Sequence, residues 1–328
     1  MRVTVRPSHH LALLTVALAG VFGRIAQAEV AVDATPSQTG STGLYRMSTV
    51  DGIGAAAIRL GAFGQFSRST NLLVLNDVDT RFVTRLAAAA DIGRHAQLFA
   101  SLSLSYNRDQ QPVPDAPSII QTAFVPDLFI GAKAAAWRNK IFAIGGELGA
   151  RVPLSGSGLA GAISGWLDLL ASAQLWSGGL SALRAHVSVG YYLDNEQKLL
   201  DINNPSGSDI EVFMFEHAAG TDRFRYALSL EGAFQGQRSP RFSPFVEYHQ
   251  EVAHGSPNDR LLTEALLKNY QQWMTLGLRV GIGPRLTIEA GADVAIESPG
   301  LAYGPPLAPF DLWAGVTVPF QTSGSGGR

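Results

Sequence analysis

The sequence predicts an all-β fold, a closed antiparallel transmembrane β-barrel of 12 strands, and three observations support it. Short segments alternate apolar and polar residues, the connections between them alternate short and long, and a secretory signal precedes them all. Side chains of a strand point to opposite faces in turn. Leu98, Ala100, Leu102, Leu104 and Tyr106 therefore share one greasy face, and Phe99, Ser101, Ser103, Ser105 and Asn107 share a wetter one. An even number of such strands closes without free edges.

The expected strands run over 56–67, 80–92, 95–107, 123–137, 140–153, 164–177, 181–194, 223–235, 241–252, 271–282, 285–297 and 308–320. Gly93-Arg94, Arg138-Asn139, Gly178-Gly179 and Gly283-Pro284 supply tight hairpin turns, and Gly236–Pro240 a slightly longer one. The other connections are long: 68–79, 108–122, 154–163, 195–222, 253–270 and 298–307. Outer-membrane barrels segregate loop lengths in this way, with short periplasmic turns and long extracellular loops, so both termini are expected to be periplasmic. Pro244 cannot donate a ladder bond and is expected near the short-turn rim.

Composition agrees. The 328 residues are 46% hydrophobic and only 16% charged, against about 25% charged in soluble domains. No apolar run reaches the roughly 18 residues of a membrane helix. Arg2 and Arg6, the apolar stretch Leu11 to Phe22, and Ala26-Gln27-Ala28 form a signal peptide over residues 1–28. Residues 29–50, rich in small polar side chains, are expected to be a periplasmic lead, 51–320 the barrel, and 321–328 a flexible tail. With no cysteine, disulfides and thiolate metal sites are excluded. A net charge of −2 without a basic patch excludes nucleic acid as a partner.

The export signal, strand length and loop bias assign the apolar face to lipid. Ile58, Leu60, Leu148, Leu167, Leu169, Leu228, Leu276, Leu312 and Val316 are among its members. Phe66, Tyr106, Trp137, Trp176, Phe234, Phe242, Phe310 and Phe320 lie near strand ends, where aromatic girdles meet the lipid–water interface. The opposite face carries nearly all of the strand charge. Its lumen-lining candidates are Arg59, Arg81, Arg85, Lys133, Glu147, Arg151, Asp168, Arg184, His186, Arg225, Glu231, Glu247, His249, Arg279, Glu289 and Asp293. A selective channel usually shows a ring of one sign. These charges are balanced, and so are expected to brace the barrel as ion pairs, with a narrow aqueous path involving Arg184–His186 and Glu247–His249 as the alternative.

The last strand, Asp311-Leu312-Trp313-Ala314-Gly315-Val316-Thr317-Val318-Pro319-Phe320, is similar to the Phe-ended strand that closes outer-membrane barrels. Leu44-Tyr45-Arg46-Met47-Ser48-Thr49-Val50-Asp51-Gly52 with Ile58-Arg59-Leu60-Gly61 resembles the opening of OmpA-type barrel regions. The resemblance covers residues 44–320 as a strand pattern, without the C-terminal peptidoglycan-binding domain of OmpA-type proteins. It implies a Gram-negative outer-membrane location, lipid and lipopolysaccharide as surroundings, and the barrel-assembly machinery as a partner in biogenesis.

For function, the sequence favours a structural or anchoring barrel, with a narrow or gated porin-like channel as the alternative and a lipid-modifying enzyme third. His186 and His249 fall on the lumenal parity, the wrong side to attack lipid, and no metal-binding or phosphate-binding motif or cofactor signature appears. Two segments are expected to cover the long-loop mouth. Within 195–222, Asp209-Ile210-Glu211-Val212-Phe213-Met214-Phe215-Glu216-His217 suggests extended strands or a fold-back plug, and 259–269 has the spacing of a short helix.

Overall fold

The computed structural model describes residues 35–50, 57–70, 77–113, 116–154, 162–195, 221–235, 240–254, 269–298 and 307–321. Two short strands, β1 (Thr35–Pro36) and β2 (Thr42–Gly43), pair with each other. Twelve long strands then follow: β3 (Ala57–Thr70), β4 (Val78–Ile92), β5 (Ala96–Val113), β6 (Ala116–Arg138), β7 (Phe142–Pro153), β8 (Ser164–Gly178), β9 (Ser181–Leu193), β10 (Arg223–Gln235), β11 (Arg241–Ala253), β12 (Tyr270–Ile282), β13 (Leu286–Glu297) and β14 (Phe310–Gln321). Each pairs antiparallel with its chain neighbour, and β14 closes on β3 from Asp311↔Ser67 to Gln321↔Ala57. Gln321, assigned to the tail by sequence, is thus the last rung of the barrel.

The short connections form as their residues dictate. Gly93, Gly179 and Gly283 adopt φ of 65°, 59° and 61°, the left-handed conformation that hairpin turns need and that other residues adopt at a cost. After β6, Asn139 Oδ1 accepts hydrogen bonds from the N–H groups of Ile141 and Phe142 at 2.8 and 2.7 Å, a side-chain-closed turn. One long connection differs from expectation. Most of 108–122 is strand, because β5 and β6 continue as a paired hairpin from Ala96↔Ala134 to Val113↔Ala116. A register irregularity beside Pro112 absorbs the ladder bond that proline cannot donate. The apolar stretch 209–217 and the helical stretch 259–269, apart from Asn269, lie outside the described residues, as does the signal peptide.

Inside and outside are inverted relative to a water-soluble protein. Leu60, Leu86, Leu148, Leu167, Leu169, Leu276 and Leu312 are exposed on the outer wall, as the alternation requires. All eight expected girdle aromatics face outward. At the long-connection end, Phe66, Phe82, Tyr106 and Phe124 form one unbroken cross-strand row over β3 to β6. Trp137, Trp176, Phe234, Phe242 and Phe320 mark the short-turn end. Pro244 sits three residues into β11 at that end and faces outward.

Large aromatics also pack inside, each against a glycine of the adjacent strand. Trp166 lies where a Cβ on Gly149 would be, and Phe63 occupies the corresponding space at Gly315. A methyl group at either glycine would have to displace the ring, so these glycines are what let bulky side chains lie flat in a narrow lumen.

The outer wall sets the first test. Leu169, 67% exposed there, should tolerate Phe or Val, whereas Leu169→Arg is expected to cost roughly 2–4 kcal/mol in a bilayer. A urea-unfolding midpoint in lipid vesicles measures this. An unchanged midpoint would contradict a hydrocarbon-facing wall.

Candidate functional site

Of the 16 sequence-predicted lumen residues, 12 are buried and Arg81, Arg151, Arg225 and His249 are half-buried, and the structure gives many of them a partner that sequence reasoning did not supply. Residues 35–50, read from sequence as part of a periplasmic lead, run inside the barrel. The reason lies in their chemistry. Thr, Ser, Gly and Gln suit water as well as they suit a polar lumen, where their backbone groups meet fixed charges in place of solvent.

Four wall groups hold the segment. Lys133 donates to the Thr42 carbonyl at 2.5 Å, the Thr42 hydroxyl at 2.8 Å and the Thr49 carbonyl at 2.7 Å, using the three donors of an ammonium. Glu247, 0% exposed, accepts from the backbone N–H of Tyr45 at 2.8 Å and of Arg46 at 3.1 Å. Arg279 donates to the Gly43 carbonyl while bridging Glu289 at 3.2 Å and Glu231 at 3.1 Å. Gln97 accepts from the Thr42 N–H and hydroxyl, both at 3.0 Å, and donates to Asp91 at 2.7 Å. Buried hydrogen bonds to charged groups are each worth about 1.5–3 kcal/mol.

Side chains of the segment reply. Arg46 pairs with Asp293 at 2.6 Å and reaches Asp311 at 3.8 Å, with its guanidinium over the Trp273 ring. Tyr45 stacks on Trp313 with ring centres 3.9 Å apart and planes at 4°, and its hydroxyl donates to Gln65. Thr35 donates to Glu289, and Arg138, the last residue of β6, donates to the Val50 carbonyl at 2.7 Å. The loop tightens on itself: Leu44 N–H donates to the Met47 carbonyl, Gly43 bridges to Ser48, and any Cβ on Gly43 would strike the Met47 carbonyl.

Other wall charges pair wall to wall. Arg59 meets Asp91 at 3.1 Å, Arg151 meets Asp127 at 2.7 Å, and Arg225 meets Asp168 at 2.6 Å. Glu147 faces Lys133 across the β6–β7 ladder and accepts from the Trp166 indole. His249 lies 3.3 Å from Glu247. Arg184 lines a smaller cavity at the short-turn end together with Ser172. His186 Nδ1 is 2.8 Å from the Ser172 hydroxyl, and its Nε2 is 3.5 Å from Glu231. That order resembles a nucleophile, base and acid, but Glu231 also carries Arg279, and all three groups are buried. Arg81 and Arg85 lie four residues apart on one face of β4. Arg85 has no carboxylate partner among the described residues, so the bracing role expected of it does not apply.

Sequence reasoning missed Tyr45, Arg46, Thr42, Gln97, Gln65, Asp311 and Trp313. A signal existed: Leu44-Tyr45-Arg46-Met47 is too apolar and aromatic for a solvated lead. The segment leaves a cavity of about 180 Å³ on the long-connection side, lined in part by Gln38, Arg46, Met47, Arg85, Phe129 and Trp273.

No protein-family model and no curated protein matches this chain. Solved structures do. An outer membrane channel from Pseudomonas putida F1 is 15% identical over 82% of this chain and 96% of its own, with a TM-score of 0.49. The NanC porin is 11% identical over 79% and 98%, with a TM-score of 0.44. The transport unit of the autotransporter AIDA-I from Escherichia coli is 9% identical over 81% and 90%, with a TM-score of 0.48. These are likenesses of barrel shape. The resemblance to OmpA-type barrel regions rests on the residues quoted for it alone.

The anchoring network makes a quantitative expectation. Lys133→Met removes every donor that Lys133 gives the Thr42 and Thr49 acceptors and should lower stability by about 1–3 kcal/mol. It should also make residues 35–50 cleavable by an added protease. Arg151→Met, whose pair with Asp127 does not reach the segment, should leave that cleavage unchanged. Equal protease resistance of Lys133→Met and the parent would contradict the anchoring role.

Proposed function

We propose that the protein is a bacterial outer-membrane barrel acting as an occluded conduit for small solutes, closed at rest by residues 35–50. One observation carries this reading. The segment fills the lumen through contacts that are polar and separable, Lys133, Glu247, Arg279 and Arg46 among them, with no covalent tie. A cavity adjoins it on the long-connection side. A barrel needing only mechanical strength could fill its interior from the wall, as Trp166 and Phe245 do locally. The apolar outer wall, with aromatics near both ends, and the signal peptide read from the sequence support an outer-membrane location. The short turns then face the periplasm with both termini, and the long connections face outward, surrounded by lipid and lipopolysaccharide. Assembly falls to the barrel-assembly machinery that reads the last strand. In this reading the barrel is not an enzyme.

A structural or anchoring barrel is the second reading, favoured by the wall-to-wall pairs Arg59–Asp91, Arg151–Asp127 and Arg225–Asp168. Planar-bilayer recording separates the two. The parent should show small or rare openings. A variant lacking residues 35–50, checked for folding by heat-modifiable gel migration, should show steady openings several times larger. Glu247→Ala, which releases the Tyr45 and Arg46 amides, should raise the frequency of openings without deleting any chain. If the folded deletion variant stays silent, the conduit reading fails and the structural one stands.

A further inference from the structure

Several lumenal arginines among the described residues meet carboxylates. Arg46 is matched by Asp293 and Asp311, Arg225 by Asp168, Arg223 by Glu251 at 3.1 Å, and Arg279 by Glu231 and Glu289. Arg85 has no ion pair among the described residues. It is 9% exposed, and its Nε has no acceptor. Across the ladder it faces Phe63 and Ser103, neither of which carries charge. The neutral Tyr45 phenol is a hydrogen-bond partner for it, and Arg81 and Arg46 are cations near it. A desolvated guanidinium among cations is unfavourable unless an anion joins it.

Arg85 also lines the cavity of about 180 Å³ between the segment and the wall. That volume is comparable with the roughly 150 Å³ engineered cavities that admit benzene. Met47, Phe129 and Trp273 give it apolar surface, and Ser48 and Gln38 of the segment close one side. Glu147, Asp168 and Glu251 line it too. Each already has a donor, from Trp166, Arg225 and Arg223 respectively. Their negative charge disfavours a second anionic group on whatever enters.

We propose that this cavity binds a small organic monocarboxylate, its carboxylate on the Arg85 guanidinium and its apolar part among Met47, Phe129 and Trp273. Arg presents a planar pair of donors that matches a carboxylate, and no carboxylate of the described residues pairs with Arg85. The site deepens the conduit reading by naming a solute class, and its occupancy is measured apart from conduction.

Titration calorimetry on the full chain in detergent, with benzoate as the probe, tests the site. Benzoate should bind. Benzyl alcohol, which lacks the charge, and phthalate, which doubles it, should each bind weaker by about tenfold or more, the ~1.4 kcal/mol within reach of one charge-assisted hydrogen bond. Arg85→Gln should lose benzoate by a similar factor, and Arg85→Lys should recover part of it. Removing an unmatched buried charge should leave Arg85→Gln folded, which heat-modifiable migration verifies. The proposal is overturned if the parent takes up no benzoate, if Arg85→Gln binds it as well as the parent, or if benzyl alcohol equals benzoate. Displacement of benzoate by equimolar chloride would also overturn it, leaving an inorganic anion site. Because binding is read in detergent, a silent bilayer recording defeats the conduit without touching the site.

Discussion

In this barrel, charged side chains and residues 35–50 occupy the interior, which leaves the buried charges little solvent to fall back on. Each buried charge must find a partner within the wall or within whatever occupies the lumen. Lys133, Glu247 and Arg279 are buried and each spends hydrogen-bonding capacity on the segment, while Glu247 and Arg279 also meet side chains of the wall. Residues 35–50 answer them largely through backbone carbonyl and N–H groups. The same bonds satisfy the segment, whose own amides would otherwise be stranded at membrane depth. Wall and segment therefore depend on one another, and the rest of the architecture serves that fit.

The aromatic residues show how the fit is shaped. On the inner face, Phe63, Phe245 and Trp313 lie over glycines of neighbouring strands, which keeps the wall thin where the segment passes. Tyr45 then stacks on Trp313, and Arg46 covers Trp273. Apolar contact sets the position of this part of the segment, and the Glu247 and Asp293 carboxylates fix its register. On the outer face, the same residue types do different work, forming two rows that bound an apolar belt. Alternation along each strand lets a single sequence satisfy both demands.

Much of this was legible in advance. Gly93-Arg94, Gly178-Gly179 and Gly283-Pro284 announced tight turns because few other residues take a positive φ cheaply, and period-two patterning placed the strands and the lumenal charges on their faces. The reading ran out where composition is ambiguous. Residues 108–122 contain Arg, Asp, Gln and Pro and look like a loop, yet strands that project beyond an apolar belt need no greasy face to pair. Residues 35–50 look like a solvated lead for a similar reason, since hydrogen-bonding side chains do not reveal whether water or protein answers them. Partners of the charges were equally hidden, because parity tells which face a residue occupies and not which distant segment reaches it.

The central claim is that residues 35–50 reside in the lumen of the folded barrel. The absence of native cysteine permits a direct measurement, the rate at which a membrane-impermeant maleimide labels Ser41→Cys in reconstituted vesicles, compared with Arg94→Cys on an exposed turn. Ser41 is fully buried and Arg94 is exposed. With both faces of the membrane accessible, Ser41→Cys is expected to react many times more slowly than Arg94→Cys, and to match it after unfolding in urea. Equal rates in the folded protein would place the segment outside the barrel and contradict the account.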